Sequence, residues 1–189
     1  MFKLEDDLKL INAFKAGDKK AFEKIVKKYQ NRVASLVYLV LGKNIDNEDI
    51  VQEVFLRVYH SLMRYEPKVS FYSWLYRIVI NICIDEIRRK KIRKIITFDF
   101  LTDNIYGSIH GEESESPVDV ILAKEKKDII QSALQRISPS YRIVLILREY
   151  NDMDYKEIAN VLNLSVEAVK SRIFRARQEM RKLLQKYFE

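Results

Sequence analysis

The residues that most limit this chain are the few that could interrupt a helix. Four glycines and three prolines occur in 189 positions: Gly17, Gly42, Gly107, Gly111, Pro67, Pro117 and Pro139. A fold made of many turns needs far more of both, because Gly supplies positive φ and Pro presets φ at turn corners. Between these breaks apolar residues recur at three- and four-residue steps, the period of a helix with one buried stripe. The expectation is an all-α chain whose helices stop near the breaks.

The first half divides accordingly. Leu4 to Ala16 reads as a short amphipathic helix ended by Gly17. Asp18 can cap a longer one from Lys19 to Leu41, which Gly42 stops. Asp46 then caps Asn47 to Met63, with Ile50, Val51, Val54, Phe55, Val58 and Leu62 on its inner face and Asp49, Gln52, Glu53 and Arg57 on its outer one. After a loop holding Pro67, Ser70 caps a helix from Phe71 to about Arg93. That helix opens FYSWLYRIVIN and closes RRKKIRK. Aromatic rings beside cations suit unpaired bases, which stack on the rings while their backbone follows the charge. Core packing accounts for Trp74 and part of Phe71. Asn81, mid-helix in an apolar stretch, calls for a hydrogen-bond partner.

Charge gives the chain its domain plan. The net is +7, with a pI of about 9.3, distributed as +7 over residues 1–93, −5 over 94–119 and +5 over 120–189. The middle stretch also holds Gly107, Ser108, Gly111, Ser114, Ser116 and Pro117, which argues for an acidic flexible linker. Fully extended, its 26 residues reach roughly 80–90 Å. Two basic modules so joined could occupy separate stretches of one duplex, whose turn is about 34–36 Å. A basic balance favours a polyanionic partner, since neutralising phosphates releases counterions.

The second module carries the most specific local pattern. A helix is expected from Val118 to Arg136, and Ser138 caps another with Pro139 at its first position. Ile143 to Leu147 are continuously apolar, so that segment is central. Then comes DYKEIANVLNLSVEAVKSRIFRARQEMRK, residues 154–182. Asp154 with Glu157 forms a capping box. Asn163 and Leu164 break the helix, and Ser165 caps the next. In that last helix Val166, Val169, Ile173, Ala176, Met180 and Leu183 form one stripe, while Lys170, Ser171, Phe174, Arg175, Gln178 and Arg181 lie opposite. This is a helix-turn-helix, whose second helix enters the DNA major groove. A plain helical hairpin with a solvated basic face is the alternative. Seven Lys or Arg against two acids between Ser165 and Lys186 argue against it, since a solubility face mixes the signs.

Other chemistries find little support. Cys83, the one cysteine, sits among isoleucines as a small hydrophobe. His60 and His110 are far apart in sequence, so no metal or cofactor is expected. The mixed N-terminus is unlike a signal peptide, and the longest apolar run, Val33 to Leu41, is too short to span a bilayer. A soluble, cytoplasmic protein is expected.

Three blocks in order, IDNEDIVQEVFLRVY (45–59), FYSWLYRIVINICIDEIRRKK (71–91) and EIANVLNLSVEAVKSRIFRAR (157–177), closely resemble the extracytoplasmic-function (ECF) group of bacterial RNA polymerase sigma factors, of the sigma-70 family. The resemblance covers about Asp18 to Leu184 apart from the linker. It implies two small helical domains, region 2 at 1–93 and region 4 at 120–189, with the linker at 94–119 threading toward the polymerase active centre. It implies that Asp49, Gln52 and Glu53, with Val54 and Phe55 beside them, dock on the clamp helices of the largest polymerase subunit, and that the second-largest subunit's flap is a further partner. Ser61, Tyr65, Ile78 and Asn81 match the pocket for a flipped minus-ten base, and Arg77, Arg88, Arg89 and Lys90 match phosphate contacts. Lys170, Ser171, Arg172, Phe174, Arg175 and Arg177 match the minus-thirty-five recognition helix. The implied protein is a non-catalytic subunit of promoter-specific transcription initiation, working in a stress response and restrained by an anti-sigma factor that is frequently membrane-anchored. An operator-binding regulator would leave residues 45–93 unexplained. A recombinase would require a catalytic Ser or Tyr amid an Arg cluster, and a pure protein-interaction bundle would be indifferent to salt on promoter DNA.

Overall fold

Helix ends decide how this chain is cut. The computed structural model describes residues 4–43, 46–96 and 117–187, without the side chains of residues 4, 5, 94–96, 117–124 and 186. Among the described residues there are eight α-helices and no strand: α1 (Leu4–Lys15), α2 (Lys19–Leu41), α3 (Asn47–Leu62), α4 (Phe71–Ile96), α5 (Pro117–Arg136), α6 (Pro139–Glu149), α7 (Tyr155–Leu162) and α8 (Val166–Leu184), with a closing 3₁₀ turn at Gln185–Tyr187.

Most expected caps form. Asp18 Oδ1 accepts from the Lys20 amide at 2.9 Å, Ser70 Oγ from Ser73 at 3.1 Å and Ser165 Oγ from Ala168 at 3.1 Å. Each satisfies an amide that the first helical turn leaves without a partner. The capping box closes in both directions, Glu157 N to Asp154 Oδ1 and Asp154 N to Glu157 Oε2, each at 2.8 Å. Asn163 ends α7 in the left-handed region at φ 52°, where a short polar side chain is tolerated. Two caps do not form. Neither Asp46 nor Ser138 makes a side-chain capping bond; Asp46 has left extended geometry, at ψ 5°, and Asn47 instead sends Nδ2 to the Gly42 carbonyl at 2.9 Å.

The span read as linker is shorter than expected at both ends. α4 continues to Ile96 and α5 starts at Pro117, so residues 94–96 and 117–119 are helical. Residues 97–116, which hold most of the expected acidic tether, lie outside the described residues.

In the first half α1, α3 and α4 surround α2. Ile25, Val33, Val37 and Val40 of α2 meet Val54, Val58 and Leu62 of α3 in a fully closed core. Asp7 fastens α1: it accepts from the Tyr29 hydroxyl at 2.7 Å and pairs with Lys28 at 2.6 Å. Burial and the neighbouring carboxylate push the Tyr29 phenol far above its usual range. In the second half α6 is the central rod, buried from Arg142 to Leu147, and α8 lies along it. Ala159 of α7 is buried, and its small side chain permits close crossing of the helix-turn-helix pair.

The halves also pack on each other, which the picture of two separately placed modules does not include. α4 lies against α7, and α2 against α5 and α6. Two glutamines of α5 cap the end of α2: Gln131 Nε2 donates to the Tyr38 carbonyl at 3.0 Å and Gln135 Nε2 to Leu39 at 3.1 Å. At the other contact the Tyr72 hydroxyl donates to the Asn151 carbonyl at 3.3 Å, Asn151 Nδ2 donates to the Tyr76 hydroxyl at 3.1 Å, and Arg77 donates to the Asn160 carbonyl. α4 is accordingly buried along two stripes, Leu75, Val79 and Ile82 on one and Tyr76, Ile80 and Cys83 on the other.

Candidate nucleic-acid interface

The recognition helix is built as its periodicity requires. Val169, Ile173 and Ala176 of α8 are buried against α6 and α7, with Val166, Met180 and Leu183 half-buried at the ends of the stripe. That fixes the opposite row outward: Lys170, Ser171, Phe174, Arg175, Gln178 and Arg181 are all exposed. Phe174 is 63% exposed, so its ring is open to whatever meets this row. Arg172 sits half-buried at the edge of the row. Two of the guanidinium groups are held. Arg175 donates to the Tyr141 hydroxyl at 3.3 Å, which strengthens its hold on its proton. Arg177 forms a double contact with Glu149, at 2.6 and 3.1 Å, and that bond raises its pKa as well. A phosphate would have to compete with Glu149 for Arg177 but not for Lys170.

On α4 the residues matched to minus-ten recognition separate by exposure. Asn81, Arg88 and Arg89 are exposed, and Ile78 and Lys90 half-buried. Asn81 is exposed, so its amide needs no partner inside the protein. Arg88 and Arg89 lie 3.5 Å from Asp85 and Glu86 respectively, pairs that are loose enough to exchange. Arg77 is exposed but engaged by Asn160. Ser61 turns its hydroxyl back to the Arg57 carbonyl. Tyr65 is only 3% exposed: its ring lies against Phe71 and Trp74, and its hydroxyl donates to Val69 at 2.7 Å. Tyr65 thus supports the loop from inside and presents no free ring.

The outer face of α3 carries exposed Asp49 and Gln52, with Glu53 half-buried and paired to Arg57 at 2.6 Å. Val54 and Phe55 lie behind this face, on the inner side expected from the sequence. Both are core residues, because they fall on the stripe that faces α2, so they shape this face without belonging to it. Sequence reasoning passed over its continuation. Leu56 and Met63 are 59% and 56% exposed, with Tyr59 between them. These residues come after Glu53 at three- and four-residue steps, a spacing that could have singled them out. Beside them lies a cavity of about 310 Å³ lined by Phe14, Lys15, Gly17, Tyr59 and Met63 among others.

The α3 and α4 faces fall within one known sequence family and most of the outer row of α8 within another. The family description "Sigma-70 region 2" matches residues 25–92 and "Sigma-70, region 4" matches residues 127–180. The ECF RNA polymerase sigma factor SigW of Bacillus subtilis is 34% identical over 184 residues, covering 93% of this chain and 95% of SigW. The chain belongs to the ECF RNA polymerase sigma factors. The RNA polymerase sigma-H factor of Pseudomonas aeruginosa is 32% identical, over 98% of this chain and 97% of its own length, and the ECF sigma-E factor of Escherichia coli K12 is 33% identical over 91% of each. Among solved structures, CnrH in complex with the cytosolic domain of CnrY superimposes with a TM-score of 0.69 at 26% identity, covering 96% of this chain and 98% of CnrH. RpoE of Bartonella quintana, solved with the anti-sigma factor NepR, shares the fold at a TM-score of 0.73 and 19% identity, over 88% of this chain and 98% of that one. In this sigma factor the region 2 match takes in most of α2 with α3 and most of α4, and the region 4 match takes in the helix-turn-helix.

Proposed function

We propose that residues 1–93 and 120–189 act as two readers of a single promoter, brought to it by core RNA polymerase. Asp49, Gln52 and Glu53 dock on the clamp helices of the largest subunit, and region 4 meets the flap of the second-largest. Lys170, Ser171, Arg172, Phe174, Arg175 and Arg177 read the minus-thirty-five element, with Phe174 suited to a thymine methyl and the cations to phosphates and guanine edges. Ser61, Ile78 and Asn81, over the buried support of Tyr65, receive a base flipped from the minus-ten non-template strand. Extrusion costs a few kcal/mol, which stacking and edge hydrogen bonds offset. Arg77, Arg88, Arg89 and Lys90 hold the neighbouring phosphates. The polymerase supplies the phosphodiester chemistry, and this chain contributes no catalytic group, metal or cofactor.

The exposed outer row of α8, fixed by a buried inner row, supports this reading best. No helix among the described residues is long and apolar enough to cross a membrane, which suits work beside polymerase in the cytoplasm. Because the RpoE relative was solved with an anti-sigma factor, we further propose that this chain is restrained by one, membrane-anchored as the family resemblance implies.

The test is run-off transcription with core polymerase on genomic fragments, followed by mapping of start sites. The expected result is initiation at a small set of sites with shared upstream and minus-ten sequences, with Asn81→Ala slowing strand opening while duplex binding persists. A purified chain that does not co-elute with core polymerase would refute the proposal.

A further inference from the structure

We infer that Lys15, in the last turn of α1, is a positioning residue for the loop between α3 and α4 that faces the minus-ten strand. The inference rests on the proposed reading of that strand by Ser61, Ile78 and Asn81, whose two helices the loop joins over Tyr65. Two internal bonds lead directly out of the end of α3, Arg64 N to the Ser61 carbonyl at 3.0 Å and Tyr65 N to Leu62 at 3.2 Å. The Tyr65 hydroxyl then closes the loop on Val69. These contacts fix the Tyr65 amide and ring. Its carbonyl is held from outside, by Lys15 Nζ at 2.6 Å across 50 residues of sequence. An ammonium donor makes a short, charge-assisted bond of this kind.

The contact has little work to do in the core. α1 is fastened independently, through Asp7 with Tyr29 and Lys28. Lys15 is half-buried and lines the open cavity beside Met63, so without it water can reach the Tyr65 carbonyl. The carbonyl would then be satisfied but no longer fixed in place. Beyond Tyr65 lies the exposed tip of the loop, Glu66, Pro67 and Lys68, and its aim depends on the backbone at Tyr65. Lys15 thus links the N-terminal helix to the placement of the loop that joins the two strand-reading helices, without touching DNA. Preorganising a recognition loop raises affinity by reducing the ordering that binding must otherwise supply.

The experiment uses the full chain assembled with core polymerase. The probe is a single-stranded non-template oligonucleotide carrying the minus-ten sequence of a mapped start site, compared with a scrambled strand. Lys15→Met should weaken binding of the specific strand about tenfold, the loss of one charge-assisted hydrogen bond. Binding of the upstream duplex, affinity for core and the thermal midpoint of the chain should stay at wild-type values. Lys15→Arg, which can still reach the carbonyl, should recover most of the loss, and Lys15→Gln, a shorter neutral donor, should fall between. Wild-type strand binding by Lys15→Met would overturn the inference, as would a defect that Lys15→Arg does not relieve or one shared equally by duplex binding and core affinity. If the wild-type holoenzyme fails to prefer the specific strand, the proposed strand reading has failed and the inference goes with it.

Discussion

Replacing Gly42 by alanine should loosen the junction between the two halves, and the structure sets the size of the effect. Gly42 sits at φ 77° and ψ −169°, a region essentially reserved for glycine, where another residue costs about 1–3 kcal/mol. A Cβ there would lie 2.9 Å from Cδ and 3.1 Å from Oε1 of Gln135. That side chain cannot swing away freely: its amide donates to the Leu39 carbonyl, and its oxygen accepts from Arg142. Displacing it removes one bond, worth about 1 kcal/mol, and strips a buried guanidinium of a partner, about 1–3 kcal/mol more. Arg142 is 6% exposed, its Nε already lacks a protein partner, and burial lowers its pKa, so losing Gln135 leaves a poorly satisfied buried guanidinium with one partner fewer. Gly17 provides the control. It has φ 102° but open space where a Cβ would go, so Gly17→Ala should lose the backbone term alone. The expected difference between the two variants is about 2–4 kcal/mol, read from urea unfolding at matched slope. In a Gln135→Ala background the excess at Gly42 should vanish, as a double-mutant cycle would register. Equal losses for Gly42→Ala and Gly17→Ala, or an excess that survives without Gln135, would refute the reasoning.

Arg175→Ala should weaken holoenzyme binding to the upstream duplex roughly tenfold while leaving single-strand binding unchanged, measured by filter binding on separated promoter elements. Asp49→Ala combined with Glu53→Ala should lower affinity for core polymerase, detected by competition with a labelled wild-type chain; the same pair should leave the unfolding midpoint nearly unchanged, because surface charges contribute little to stability. Burial pushes the Cys83 thiol from an ordinary value of 9.0 to about 12. The folded chain therefore keeps a proton that the unfolded chain releases, and the stability associated with it is full below pH 9 and lost as pH rises toward 12, at about 1.4 kcal/mol per pH unit. Unfolding curves at about pH 8 and about pH 10.5, compared with Cys83→Ala, should show that part of the decline disappear in the variant.

What the sequence disclosed was local. Capping residues and their amide partners lie within three positions of one another, and the stripe of α8 repeats within a single helix, so each signal sits inside a short window. The junction between the halves had no such window. Gln131 and Gln135 look like the polar side of an ordinary amphipathic helix, and their partners are the carbonyls of Tyr38 and Leu39, 93 and 96 residues away. One local sign was present. The segment FYSWLYRIVINICI is apolar nearly all round, and a helix of that kind is buried on more than one side. Its rings invite a base-stacking interpretation, yet Phe71 and Tyr76 are almost fully enclosed, and Tyr72 and Tyr76 meet Asn151 instead.

That burial bears directly on how two readers could share a promoter. With α7 packed on α4, the helix-turn-helix lies beside the minus-ten surface, whereas promoter elements more than one duplex turn apart are separated by over about 34 Å. Simultaneous reading therefore requires α7 to leave α4. Separation breaks two tyrosine–asparagine bonds and the bond from Arg77 to the Asn160 carbonyl, all of which water can replace. It also uncovers part of the buried Tyr76, Ile80 and Cys83 stripe, which costs apolar burial. The Asn160 carbonyl belongs to the last turn of α7, where the helix dipole favours a cation, and a DNA phosphate offers Arg77 a full negative charge in its place. Where Arg77 takes a phosphate as proposed, that exchange offsets part of the cost of separation. Salt should weaken that offset, because screening acts more on the exposed phosphate contact than on the packed one.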